Sequence, residues 1–237
     1  MKLVHPEFNY QIEFKENRVN LIVIEDKKVF REYIGELYSQ CIELNDLGKF
    51  VLSHEEKEVK LSKKAEIILD FYSLDINNKK IITKVYNKLK EISTEEDMYV
   101  ETGKINSEIV RYVDKIVDIS DYPLEFSIDI DIVDLFKMAN VKFLKDYTSE
   151  LDRICDYISV VNEITGKDIF IFVNFRDFFK LDELKEFYKF AAYKKIFLLM
   201  IENKVNDVCD EYEDVFILDE DLCEIYWFFN ISMIYFN

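Results

Sequence analysis

Five carboxylates crowd one short stretch of the chain, "DYPLEFSIDIDIVDLF" at 121–136. They are Asp121, Glu125, Asp129, Asp131 and Asp134, threaded between Leu124, Phe126, Ile128, Ile130, Ile132 and Leu135. Like charges at this density repel one another unless solvent, cationic side chains or a metal screens them. Two chemistries suit the pattern. In one, the carboxylate oxygens converge on Ca²⁺, a hard ion that accepts six to eight oxygens with loose geometry. In the other, the stretch is a solvated edge, and Asp129 or Asp131 stabilises the N-terminus of the helix that "IVDLFKMA" predicts. An EF-hand is excluded, because no Gly stands at the sharp-turn position and no Glu closes the loop. A two-metal nuclease would need further acids from other elements.

Other residues with chemical potential have weaker settings. "LIVIEDKKVFREYI" reads as a strand followed by a helix, the place where a nucleotide-binding fold puts its phosphate loop. That loop needs GxxxxGK[ST], so that backbone N–H groups can approach the phosphates. Here there is no glycine, and Glu25 and Asp26 would repel an anion, so ATP use is not expected. Lys27 and Lys28 read as solvated. His5 and His54 have no nucleophile context, neither GxSxG nor a Cys–His pair. "VNFRDF" places Asn174, Arg176 and Asp177 at the carboxyl end of a predicted parallel strand, where α/β proteins bind ligands. A loop salt bridge and a helix cap account for the same residues.

Composition bounds these readings. The chain has 237 residues, 49% of them hydrophobic, enough for one sizeable core in one or two lobes. The formal net charge of −17 argues on its face against nucleic acid, unless basic residues face one way and acids another. Cys41, Cys155, Cys209 and Cys223 are scattered without a CxxC pair and read as reduced thiols of a cytosolic protein. With only two histidines, structural zinc is not expected. The first residues show no signal-peptide pattern. The tail "IYWFFNISMIYFN" is too short and too interrupted to span a membrane, and it is expected to pack on the head or at a subunit contact.

The elements that must position these residues follow from periodicity. Val19–Ile24 reads as a buried strand, and "KKVFREYIGELYSQCIEL" as an amphipathic helix upon it. "KFVLSHEEKEVKL" predicts a hairpin. "SKKAEIILDFYSL" is expected to open a helical region with Ser62 as N-cap. "NNKKIITKVYNKLKEIS" and "INSEIVRYVDKIVDIS" are amphipathic helices, and "YTSELDRICDYISVVNEIT" is a long one that Gly166 terminates. "KDIFIFVNF", "KIFLLMIE" and "DVFILDEDLCEIYWFF" read as three buried strands around a helix, which implies a parallel sheet. One α/β head thus comes from residues 1–61 and 166–237, with a helical leg, 62–165, inserted between.

"MKLVHPEFNYQIEF", "NLIVIEDKKVFREYIGELYSQ", "FYSLDINNKKIITKVYNKL", "DYPLEFSIDIDIVDLFKMANVKF", "IFIFVNFRDFF" and "FILDEDLCEIY" as a set resemble the fourth Cas protein of type II-A CRISPR operons, the Csn ring family. The resemblance runs from the first residues to about Tyr226 and rests on the order and spacing of many short blocks. It implies an α/β protein with a degenerate P-loop-like head and an inserted α-helical leg domain, without enzymatic activity. It further implies a homotetrameric ring in the cytoplasm. Such a ring binds Ca²⁺ in the leg and threads linear double-stranded DNA from its ends. It serves spacer acquisition beside the CRISPR adaptation integrase and the RNA-guided effector nuclease. The family's calcium-associated segment maps onto "LEFSIDID", which makes Glu125, Asp129 and Asp131 the candidate ligands, with Asp121 beside them. A ring can turn its cations to the hole. The candidates for DNA are Lys79, Lys80, Lys84 and Lys88 on one helix, and Lys104, Arg111 and Lys115 on the next. The rival readings are a metal-dependent nuclease or NTPase using the same acids, and an acidic scaffold that binds only protein.

Overall fold

A computed structural model describes residues 1–43, 48–205, 208 and 211–227. The apolar tail from residue 228 onward, Cys209, and the expectations that fall on them lie outside the described residues. The chain divides into two compact units, one of 1–74 with 147–237 and one of 75–146.

The first unit is a mixed α/β structure. Its strands are β1 (Lys2–Val4), β2 (Ile12–Glu13), β3 (Val19–Ile24), β4 (Val51–His54), β5 (Lys57–Val59), β6 (Ala65–Ile68), β7 (Ile169–Val173), β8 (Phe197–Glu202), β9 (Glu213–Leu218) and β10 (Glu224–Trp227). Its helices are α1 (Lys27–Cys41), the four-residue α2 (Leu61–Lys64), α6 (Glu150–Thr165) and α7 (Leu181–Tyr193), with a 3-10 turn at Arg176–Phe178. The main sheet has six strands in the order β10-β9-β3-β8-β7-β6. All its pairings are parallel except that of the edge strand β10. All six residues of β3 are buried, as are Leu198 to Glu202 of β8. Continuous apolar runs of this kind are what a parallel sheet covered on both faces requires. A smaller antiparallel sheet has the order β2-β1-β4-β5. The expected hairpin is β4–β5; Glu55 and Glu56 at its tip have φ of 49° and 62°. Two successive positive φ values match the right-handed twist of the flanking strands.

Three sequence expectations are corrected. "SKKAEIILDFYSL" is not a helix: α2 ends after one turn and Ala65–Ile68 becomes the edge strand β6, in register with Ile169–Phe172 of β7. The β-branched run gains a parallel partner there, which local periodicity does not reveal. Ser62 does not cap a helix; Lys60 holds that position, and the Ser62 hydroxyl donates to Glu43 (2.7 Å). "DVFILDEDLCEIYWFF" is two strands, because Asp219 accepts from the Asp221 and Cys223 amides at 3.0 and 2.7 Å and turns the chain back on itself. Since β6 and α6 both belong to the first unit, the inserted unit runs from 75 to 146, inside the 62–165 drawn from sequence. Gly166 ends α6 in the left-handed region, φ 74°, as expected.

The second unit holds α3 (Lys79–Ser93), α4 (Glu96–Ile119) and α5 (Ile132–Met138). Asn78 caps α3 by accepting from the Ile81 amide (3.1 Å). The base of the unit is closed by a reciprocal pair in which Asn77 Nδ2 donates to the Phe143 carbonyl (3.0 Å) and the Phe143 amide donates back to Asn77 Oδ1 (2.9 Å).

Beneath α7 the first unit buries charge. Arg176 Nη2 lies 3.1 Å from Glu213 Oε1, with the two side chains 2% and 0% exposed. The Tyr188 hydroxyl donates to the same carboxylate at 2.7 Å. Burial, and then the neighbouring Glu213 charge, hold the phenol well above its ordinary pKa. Removing one partner of such a pair strands the other in a low dielectric. Arg176→Leu should therefore cost about 3–5 kcal/mol in urea unfolding. The Arg176→Leu/Glu213→Leu double variant should be less destabilised than the sum of the two single changes.

Candidate nucleic-acid interface

The sequence of α3 carries five lysines and a single carboxylate, in a chain whose net charge is −17. Lys79, Lys80, Lys84 and Lys88 are all exposed. Lys80, Lys84 and Lys88 stand one helical turn apart and share a face, because side chains four residues apart are neighbours on a helix. The apolar residues Ile81, Ile82, Val85, Tyr86 and Leu89 take the other side; Ile81 is buried, and the Tyr86 hydroxyl donates to the Val141 carbonyl (3.1 Å). Lys79 and Lys80 sit in the first turn, which holds no acid. The helix dipole disfavours cations at that end. These two lysines therefore do not serve the stability of their own helix.

On α4, Lys104, Arg111 and Lys115 are exposed. They share their helix with Glu101, Glu108, Asp114 and Asp118, and Arg111 lies 3.9 Å from Glu108. The field of α4 is mixed, where that of α3 is predominantly positive. Lys90, the last cation of α3, does not join the stripe; it pairs with Asp131 at 3.0 Å.

Two carboxylates of the acidic segment have partners within the unit. Asp131 is the N-cap of α5: Oδ1 accepts from the Val133 amide and Oδ2 from Lys90, both at 3.0 Å. The Val133 amide, and then Lys90, hold its carboxyl below the usual range. Asp134 pairs with Lys137 at 2.8 Å. At Asp129 the backbone is braced by Ser127, whose hydroxyl donates to the Asp129 carbonyl and accepts from its amide, each at 3.2 Å. Asp129 and Asp131 share the wall of an open cleft of about 550 Å³ with Lys90, Thr102 and Asn106. Asp121 and Glu125 are exposed and do not line it. Among the described residues no three His, Cys, Asp or Glu side chains form a group that could hold a metal ion. Glu125, Asp129, Asp131 and Asp121 of one copy are not gathered into such a group. The capping role expected for Asp129 or Asp131 belongs to Asp131.

The other candidates resolve into structure. At the loop after β3, Asp26 accepts from the Lys28 and Val29 amides at 3.0 and 2.8 Å. A carboxylate of the chain thus occupies the N-terminus of α1, where a phosphate would need those donors. His5 is buried against Glu36 (3.2 Å) and packed by Phe8, Tyr33 and Phe50. His54 is exposed at the end of β4. Arg176 is held by Glu213, and Asp177 meets Lys204 at 2.8 Å.

The arrangement defines a class: an α/β unit whose helix N-terminus is closed to phosphate, interrupted by a helical unit with one strongly cationic helix. The family model for CRISPR-associated protein (Cas_Csn2) matches residues 43–222. The chain belongs to the Csn2 family of CRISPR-associated proteins. It is 20% identical over 218 residues to the CRISPR-associated protein Csn2 of Streptococcus agalactiae, covering 87% of this chain and 93% of that one. A solved structure of the ADP conformation of MJ1267, an ATP-binding cassette of an ABC transporter, covers 88% of this chain and 79% of its own. That likeness has a TM-score of 0.42 at 9% identity.

The Asp131 geometry separates capping from charge. Asp131→Ala should lower the melting temperature, because it removes both the cap of α5 and the partner of Lys90. Asp131→Asn keeps an oxygen for the Val133 amide and should lower it less. Differential scanning calorimetry of the two variants checks the order.

Proposed function

We propose that the protein is a non-enzymatic, sequence-independent binder of linear double-stranded DNA. It acts as a homotetrameric ring in spacer acquisition of type II-A CRISPR systems, in the cytoplasm, beside the adaptation integrase and the RNA-guided effector nuclease. The observation that carries this reading is the exposed lysine row of α3, set against a strongly acidic chain of a CRISPR-associated family. Closed symmetry repeats each lysine around a duplex, so a few positions give many phosphate contacts. Phosphates carry no sequence information, and binding follows suit. The carboxylate-capped α1 supports a degenerate P-loop-like head that does not take up a nucleotide phosphate.

Self-association has its own support. None of the residues of α4 is buried. Met98, Ile105, Tyr112, Ile116 and Ile119 are all at least 40% exposed. With Thr102 and Ile109 they recur at alternating spacings of four and three residues, the seam of a coiled-coil contact. In this reading the seam is covered by another copy, and Lys104, Arg111 and Lys115 flank it. In this reading calcium takes ligands from among Glu125, Asp129, Asp131 and Asp121, joined by acids of a second copy, since the described residues of one copy hold no group of three or more such side chains.

Two experiments test the reading. In gel shifts, linear duplex should bind whatever its sequence, with affinity falling steeply as salt rises. Lys79→Glu/Lys80→Glu/Lys84→Glu should weaken every sequence alike, by roughly tenfold or more, through lost counterion release. Equal affinity for covalently closed circles of the same sequence would exclude entry at ends. In the second, light scattering should give a particle of four chain masses, and Ile116→Glu/Ile119→Glu should dissociate it. Calcium should raise the melting temperature of the oligomer, and the increment should shrink as the protein is diluted towards monomer.

A further inference from the structure

One buried carboxylate has no part in the proposed DNA reading. Glu202 ends β8 and is 1% exposed. Its Oε1 accepts the backbone amides of Phe175 and Arg176 at 3.0 and 3.1 Å. Those amides open the turn that leaves the carboxyl end of β7. The turn is held at two more points. Asn174 adopts φ 51°, in the left-handed region that Asn tolerates better than most residues, and its Oδ1 accepts from the Asn203 amide (3.2 Å). The Asn174 amide donates to the Ile201 carbonyl (2.9 Å). All three ties run to the end of β8, so turn and strand form one local unit.

The charged groups around Glu202 oppose one another. From the turn, the Arg176 guanidinium favours the carboxylate and Asp177 disfavours it. Arg176 is committed to Glu213 of β9, which also holds Tyr188 of α7. Asp177 is partly neutralised by Lys204, just beyond β8. Burial outweighs the two amides and Arg176, and pushes the Glu202 carboxyl up to about 7.

We propose that residues 174–178 form a latch over the carboxyl end of the parallel strands, closed while Glu202 is protonated and loosened as it ionises. Opening hydrates the carboxylate and uncovers Phe175, which is 1% exposed and packs against Phe71, Phe172 and Phe187 in the closed state. The sign follows from linkage. A carboxyl whose closed-state pKa is raised favours the closed state fully below its solvent-exposed pKa, and loses that contribution as pH rises through the raised value. The window is therefore about pH 4.5 to 7, with a plateau above.

Hydrogen exchange by mass spectrometry on the full chain, from pH 5 to 8, tests this. After correction for intrinsic base catalysis, opening of the 174–179 segment should rise by several tens of fold and level off above neutrality. A segment covering β3 should show no such rise. Glu202→Gln keeps an acceptor for both amides but cannot ionise, so its opening should be independent of pH. Asp177→Asn, at a surface position, keeps the fold and removes the opposing charge; its rise should be smaller and should level off at lower pH. Wild-type opening that does not change with pH would overturn the latch. So would the same rise in Glu202→Gln, or an Asp177→Asn profile that coincides with the wild type.

Discussion

The parallel pairing of β6 with β7 is the constraint on which the rest of the molecule depends. Four residues of each strand lie in register, from Ala65 against Ile169 to Ile68 against Phe172. Between them runs a loop of roughly a hundred residues, whose closure costs about 4 kcal/mol in chain entropy by logarithmic scaling. The pairing is reinforced where the chain leaves and returns. Arg153 of α6 donates to the Phe71, Tyr72 and Leu74 carbonyls at 2.8, 3.2 and 3.0 Å, and to Glu150 at 2.6 Å. Lys64 meets Asp168 at 2.9 Å, and Lys167 meets Glu66 at 2.5 Å. The six-stranded sheet thereby stays continuous despite the insertion, and the inserted residues are free of the constraints of that sheet.

That freedom shows in how charge is distributed. In the first unit, several charged groups are committed to structure, as in the Arg18 contacts with Asp214 or the buried Arg176–Glu213 pair. In the inserted unit three acids have local partners, Asp131 in a helix N-terminus and Lys90, Asp134 in Lys137, and Asp75 in Lys145 at 2.9 Å. What is left exposed on α3 is a row of lysines. Net charge is thus a poor guide to the field of one helix, because screening limits the reach of surface charge to about 10 Å at ordinary ionic strength.

At the carboxyl end of the parallel strands the backbone donors are taken up by the chain itself. Asp26 takes the donors at the start of α1, and Glu202 takes those of the turn after β7. In both places a carboxyl oxygen of the chain stands where an anionic ligand would need backbone N–H groups. Arg176, Glu213, Tyr188 and Glu202 are polar groups buried in the first unit. Such groups cost desolvation, and they tie particular atoms together where apolar contacts would tolerate sliding.

Much of this was legible in the chain. The apolar runs of β3, β7 and β8 and the helical spacings of α1, α3 and α6 are local patterns, and Gly166 marked its helix end. The order of many short blocks placed the chain in its family. The lysine row needed only the spacing of four. What local pattern could not reveal was partnership. Ala65–Ile68 reads as helix until β7 lies beside it, and the stretch from Asp214 onward reads as one strand until Asp219 folds it. The acids of 121–134 do not reveal from their own spacing that Lys90, from another helix, stands beside Asp131. Periodicity reports which face of an element is apolar. Which element covers that face, and which cation meets a given carboxylate, is decided by contacts between residues far apart in the chain, and only the tertiary structure brings those together.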